Sequence, residues 1–198
     1  MNEFVLFAQP WWVNLLLAVP FISFYFWQRE GLAISKWVLI ISGLFGAAFG
    51  FIEASVVIYL RAAVGLLPGY GGTLSDVADL SADIYQQAQI LKELPRSLLV
   101  VEFFREAATM VVLLGAAFLS VRSLRERWAI FLWTFAIWDI FYYIGLWATV
   151  QWPSSLLTPD VLFLIPVPWF SQVWFPVLVS VFVMVAVVVA WKQTKKSS

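Results

Sequence analysis

LLVVEFFREAATMVVLL, residues 98–114, decides how the chain is read: it is apolar enough to lie in a bilayer, yet it carries Glu102, Arg105 and Glu106. At 100° per residue those three side chains fall within an arc of about 100°, and Thr109 continues the same face one turn on. An ionised side chain at the centre of a membrane helix costs roughly 2.5–3.5 kcal/mol, whereas each large aliphatic returns only about 0.3–0.6. Such a helix is marginal alone. Its polar face has to be received by other helices of the same protein.

The remaining sequence has the composition to supply them. Hydrophobic residues make up 63% of the 198 positions and charged residues 12%, against about 45–50% and about 25% in soluble domains. An integral membrane protein is therefore expected. At about 20 residues per span the chain has room for about six or seven helices at most, so residues 1–198 read as a single transmembrane bundle with no second domain. Cys and His are both absent, which removes disulfides, thiolate nucleophiles, zinc triads, histidine-ligated haem and Ser-His-Asp chemistry. No cofactor and no metal are called for. A net charge of zero with no soluble basic surface argues against nucleic acid as a partner.

The fold expected is all-α and polytopic, with about five transmembrane helices over residues 11–27, 37–60, 98–121, 128–149 and 170–191. Trp11 and Trp12 at one end of the first span, and Tyr25, Phe26 and Trp27 at the other, are the interfacial anchors of a membrane helix. Pro20 predicts a kink within it. A cleaved signal peptide is the poorer reading, because MNEFVLFAQP contains no Lys or Arg. In the second span Ser42, Gly43, Gly46 and Gly50 form a stripe of small residues that lets two membrane helices approach closely. Glu53 lies on that stripe and should face a neighbouring helix rather than lipid.

Residues 62–95 are the one long polar interval. Within them, 74–94 reads as an extracytoplasmic amphipathic helix, with Val77, Leu80, Ile84, Ala88 and Leu91 on one face and Asp76, Asp79 and Asp83 on the other. It would lie on the membrane surface or across the bundle mouth. The aspartate row reads as a solvated face, since Ca²⁺ sites wrap a loop around the ion. The fourth span offers Asp139 with Tyr142 and Tyr143 three and four residues on, on one side of the helix. In QWPSSLLTPDVLFLIPVPW, residues 151–169, Thr158, Pro159 and Asp160 resemble a helix start. Pro166 stops the following apolar run too soon for a span, so a short re-entrant or interfacial hairpin is expected there.

Five spans put the termini on opposite sides. One side collects Arg29, Lys36, Arg122, Arg125, Arg127, Lys192, Lys195 and Lys196; the other has Arg61, Lys92 and Arg96. The positive-inside rule then places the chain in the cell inner (plasma) membrane with its N-terminus outside and its C-terminus cytoplasmic. At about 1.5 Å per residue, Glu53 and Glu102 come to lie roughly 8–11 Å below the outer surface and Glu106 and Asp139 roughly 14–17 Å.

Glu53, Glu102, Arg105, Glu106 and Asp139, with Tyr142 and Tyr143, are thus the candidate residues of an outward-facing polar pocket. Its bland role is a brace, with Arg105 paired across helices to fix register. The functional reading is that the pocket binds or moves a small amphiphilic ligand or an ion. Two alternatives stand beside it. One is an accessory subunit that contacts other membrane subunits as well as the lipid bilayer. The other is a membrane-embedded enzyme on a lipid-like substrate, with Glu106 or Asp139 as general acid or base, Arg105 as clamp and Tyr142 or Tyr143 as proton donor.

GFIEASVVIYLR, EFFREAATM, WDIFYY and WPSSLLTPDVLFLIPVPW resemble segments of an uncharacterised family of bacterial multi-span integral membrane proteins. The resemblance runs from the second helix onward. It implies a polytopic bacterial membrane protein and carries no established activity. Asp139, Gly145 and Trp147 are more loosely similar to membrane carotenoid cyclases, which place paired acids before two phenylalanines. Here Asp160 stands alone before Phe163, and Glu102 alone before Phe103 and Phe104, so the chain departs from that pattern.

Overall fold

Long apolar runs broken by short polar connectors fold as helices in the computed structural model, which describes residues 4–63 and 96–196. A 3₁₀ segment, Trp11–Ala18, passes into α1, Val19–Glu30. There follow α2 (Lys36–Ala63), α3 (Arg96–Ser120), α4 (Leu124–Val150), β1 (Pro159–Phe163), β2 (Trp169–Gln172) and α5 (Trp174–Lys196). The chain is mostly helical, and three stretches are long and apolar enough to cross a membrane: Lys36–Tyr59, Leu124–Val150 and Trp174–Thr194. The amphipathic helix expected over 74–94 lies outside the described residues.

Proline 20 does not bend a continuous helix. It sits in the first turn of α1, where its missing N–H costs nothing, and the discontinuity takes the form of a change from 3₁₀ to α at Val19. At the other end of α1, Gly31 adopts a φ of +71°. A Cβ there would also collide with Thr194 of α5, whose hydroxyl accepts the Leu32 N–H at 2.6 Å. Only glycine meets both demands. Helix α4 opens on Ser123, whose hydroxyl accepts the Glu126 N–H at 3.2 Å.

Helices α2 and α4 lie side by side and run in the same direction. Gly43 faces Trp133 and Ile137, Gly46 faces Thr134 and Ile137, and Gly50 faces Trp138 and Tyr142. A methyl group on Gly46 would come within 2.8 Å of the Thr134 carbonyl oxygen, and one on Gly50 would collide with that of Trp138. Gly145 answers from α4, fitting against Ala54 and Phe51. The small-residue stripe is thus the seam of the closest helix pair, where two backbones meet by van der Waals contact.

The other helices follow from α4. Helix α3 runs back against it, burying Leu113 and Ala117, and α5 also runs opposite to it, with Val183 and Val187 in one apolar cluster with Ala129, Ile130 and Ala136. Helix α1 lies along α5, where Phe21 meets Phe182 edge-on at 5.4 Å. Successive helices therefore alternate in direction. One end of the bundle carries Glu30, ion-paired to Arg125; the other carries the hairpin.

That hairpin is antiparallel, with Asp160 opposite Ser171 and Val161 opposite Phe170. Gln9 extends it, exchanging both backbone hydrogen bonds with Phe170 at 2.8 and 2.7 Å. A short hairpin was expected here, and it is a β-hairpin. Thr158, Pro159 and Asp160 do not begin a helix, because Thr158 closes a local turn instead. Its N–H bonds the Ser155 carbonyl at 3.1 Å and its hydroxyl accepts the Ser155 N–H at 3.1 Å. Pro159 then stands at the first position of a strand, where its lack of a donor is tolerated. The hairpin is sunk alongside the bundle: Asp160 bonds Tyr143, about 10 Å before the end of α4.

Candidate functional site

Helix α3 presents its charged arc toward α2 and the hairpin. Glu102 and Arg105 are three residues apart on one face, and Arg105 donates through Nε to Glu102 Oε2 at 2.9 Å, with a second guanidinium nitrogen 2.8 Å from the same oxygen. The remaining nitrogen pairs with Glu53 Oε2 of α2. Thr109, one turn along from Arg105, donates to Glu53 Oε1 at 2.8 Å. Glu53 and Glu102 are buried, while the Arg105 side chain is 22% exposed. One cation thus serves two carboxylates, and both oxygens of Glu53 are engaged. Tyr142 of α4 lies within electrostatic reach of the guanidinium.

Glu106 follows Arg105 directly, so its side chain is rotated about 100° around the helix. It makes no ion pair among the described residues. Instead its Oε2 accepts the N–H of Leu164, the residue just past β1, at 2.8 Å. This buried carboxylate fastens the hairpin to α3 through a single backbone amide.

Asp139 and Tyr143 form a second cluster on the side of α4 turned to α5. The Ser180 hydroxyl donates to Asp139 Oδ2 at 2.8 Å. One turn on, the Tyr143 hydroxyl donates to Asp160 Oδ2 at 2.8 Å, and Asp160 Oδ1 accepts the Val161 N–H at 2.9 Å. Asp139, Tyr143, Asp160 and Ser180 are all buried, and the two aspartates lie within electrostatic range of one another.

Of the seven residues expected to converge, Glu53, Glu102 and Arg105 meet directly, with Tyr142 within electrostatic range of Arg105. Glu106 is bound to the hairpin, and Asp139 and Tyr143 belong to the second cluster. Strand β1 spans the two groups, with Asp160 near one end and Leu164 just past the other. Ser180 and Asp160 are site residues that the sequence reading did not place in the pocket. A signal existed for Ser180, the single hydroxyl in the apolar run 174–191; its partner follows only from the packing of α5. No three carboxylates gather closely enough to hold a metal ion among the described residues. No family model, curated protein or solved structure matches the chain.

Proposed function

We propose that the chain is a five-span protein of a bacterial inner membrane, N-terminus outside and C-terminus cytoplasmic, that binds or moves a small amphiphile or an ion at the polar interior beneath the hairpin. The alternating helix directions and the basic residues of one end support that topology. The observation that carries the functional reading is the acid excess. Glu53, Glu102, Glu106, Asp139 and Asp160 are buried, and among the described residues Arg105 is ion-paired to Glu53 and Glu102 alone of these five. A carboxylate held in an apolar bundle without a cation carries a proton, meets a mobile cation or faces a polar ligand.

The closed network of Glu53, Glu102, Arg105 and Thr109 favours bracing for that part of the cluster, which leaves Glu106 and Asp139 for ligand or proton handling. Each accepts one hydrogen bond from the described residues, an arrangement that Gln or Asn also supports. Native mass spectrometry of protein extracted into lipid nanodiscs tests the reading. The expected result is a retained small molecule in the wild type, with Glu106→Gln or Asp139→Asn folding normally and losing it. Preparations that are always empty, or stable complexes with other membrane subunits and no small molecule, would overturn it.

A further inference from the structure

Several indole N–H groups in this bundle find acceptors. Trp128 donates to the Ser23 hydroxyl at 3.0 Å, Trp133 to the Leu39 carbonyl at 3.0 Å and Trp191 to the Ile34 carbonyl at 2.8 Å. Trp138 and Trp169 are exceptions, each with a buried Nε1 that has no partner, and Trp138 is the deeper of the two at 9% exposed. An unpaired donor in an apolar interior is costly and marks a place where a partner is expected.

Its position gives the surroundings. On α4, Thr134, Ile137 and Phe141 face α2, while Tyr142 lies within electrostatic range of Arg105 of α3. Trp138 lies at the helical angle between these two sets, so its ring enters the wedge bounded by α2 and α3. Its ring is 5.3 Å from that of Phe135 and stacks with Tyr142 at 6.3 Å. On α2, Phe45 and Phe49 share a stripe with Glu53 at four-residue spacing, and their rings stack at 5.8 Å. Glu53, at the end of that stripe, reaches Arg105 and Thr109 on α3. Each aromatic stripe thus leads along its own helix toward the Arg105 network. Phe45 remains 36% exposed on the outer surface, so the wedge has an apolar side.

We propose that this wedge, walled by Phe45, Phe49, Phe135 and Trp138 and roofed by the Arg105 network, holds an uncharged amphiphile whose hydroxyl, carbonyl or ether oxygen accepts the Trp138 N–H. The assignment rests on the reading above that the bundle retains a small amphiphile, and it adds a site to it, for Glu106, bound to the hairpin, and Asp139, turned to α5, do not wall this wedge. An anionic headgroup is disfavoured, because Arg105 is already engaged by two carboxylates. A cationic headgroup finds both oxygens of Glu53 taken, by Arg105 and Thr109. The open valence is a donor, and it calls for a neutral acceptor. The tail would lie among the aromatic rings, as in other largely apolar sites with few polar anchors.

The test uses full-length protein in phosphatidylcholine nanodiscs with ¹⁵N-labelled indoles, the Trp138 resonance being assigned by its loss in Trp138→Phe. Added n-dodecanol is expected to move that resonance downfield with saturation and to raise the melting temperature. Dodecyl phosphate and dodecylammonium are expected to leave the resonance in place. Loss of one neutral hydrogen bond predicts dodecanol affinity about five-fold weaker in Trp138→Phe, read from the concentration dependence of melting. Should that variant not fold, Trp138→Tyr, which likewise lacks the indole N–H, supplies the assignment for the wild-type titration. A melting response to dodecanol with an unmoved Trp138 resonance would overturn this assignment and leave the broader reading intact, as would an equal shift with dodecyl phosphate. No melting response to any of the three compounds would count against both.

Discussion

Arg105 carries the heaviest burden of any single side chain, since it compensates two buried acids on two helices. Truncating it strands Glu53 and Glu102 in an apolar interior, and breaking a buried pair from one side is costly because the remaining charge is left unpaired. Partial exposure of the guanidinium lowers the figure somewhat, to about 3 kcal/mol on that scale. Arg105→Ala is therefore expected to lower the thermal midpoint in detergent clearly. Adding Glu53→Gln and Glu102→Gln to it should recover much of the loss, because the stranded charges are gone. A midpoint unchanged in Arg105→Ala would show that the charges are not confined as the geometry requires. At this scale the sequence was legible where a charge has nowhere else to go: helical angle alone put Glu102, Arg105 and Thr109 on one face and Glu53 on the inner stripe of α2. It was silent on Ser180 and Asp160 as partners of Asp139 and Tyr143, because those pairings are fixed by how α5 and the hairpin dock and not by any local spacing.

Among the elements, the seam between α2 and α4 sets the spacing to which the rest conforms. Gly50 packs against the backbone of α4, so a methyl group there has no flexible side chain to displace. Gly50→Ala should force the helices apart and cost roughly 1–3 kcal/mol, the range for overpacking a tight contact. Gly115 on α3 is the internal control, for nothing lies within 4 Å of a Cβ placed on it. Gly115→Ala should be neutral or slightly stabilising, since alanine is the better helix former. Unfolding midpoints of the two variants measured side by side check the contrast, and equal midpoints would refute it. The stripe behind this seam was readable because four small residues at helical spacing in an apolar run have few other uses. The hairpin was harder. Thr158, Pro159 and Asp160 satisfy the local rules for a helix start, yet the segment pairs with β2 and is held by Tyr143 and Glu106, contacts made by distant parts of the chain.

For the whole molecule, the two ends of the bundle differ in kind, and that difference makes the orientation testable. One end holds Arg29, Arg122, Arg125 and Arg127 near the turns that join α1 to α2 and α3 to α4; at the other, the hairpin and residues 4–9 expose Phe4, Phe7 and Val167 and no charged side chain among the described residues. Cationic loops are retained on the cytoplasmic face during insertion, so the basic end is expected inside and the hairpin outside. The chain contains no Cys, and a single introduced thiol therefore reports its own location without background. Ser154, in the turn before β1, and Ser35, in the connector between α1 and α2, are both exposed and differ from Cys by one atom. A membrane-impermeant maleimide should label Ser154→Cys on intact spheroplasts and Ser35→Cys only after the membrane is opened. Reversal of the two patterns would invert the topology and move the polar interior beneath the hairpin to the cytoplasmic face. Labelling of both residues from one side would mean that α2, α3 and α4 do not carry the chain across an odd number of times, and the five-span arrangement would fall with it.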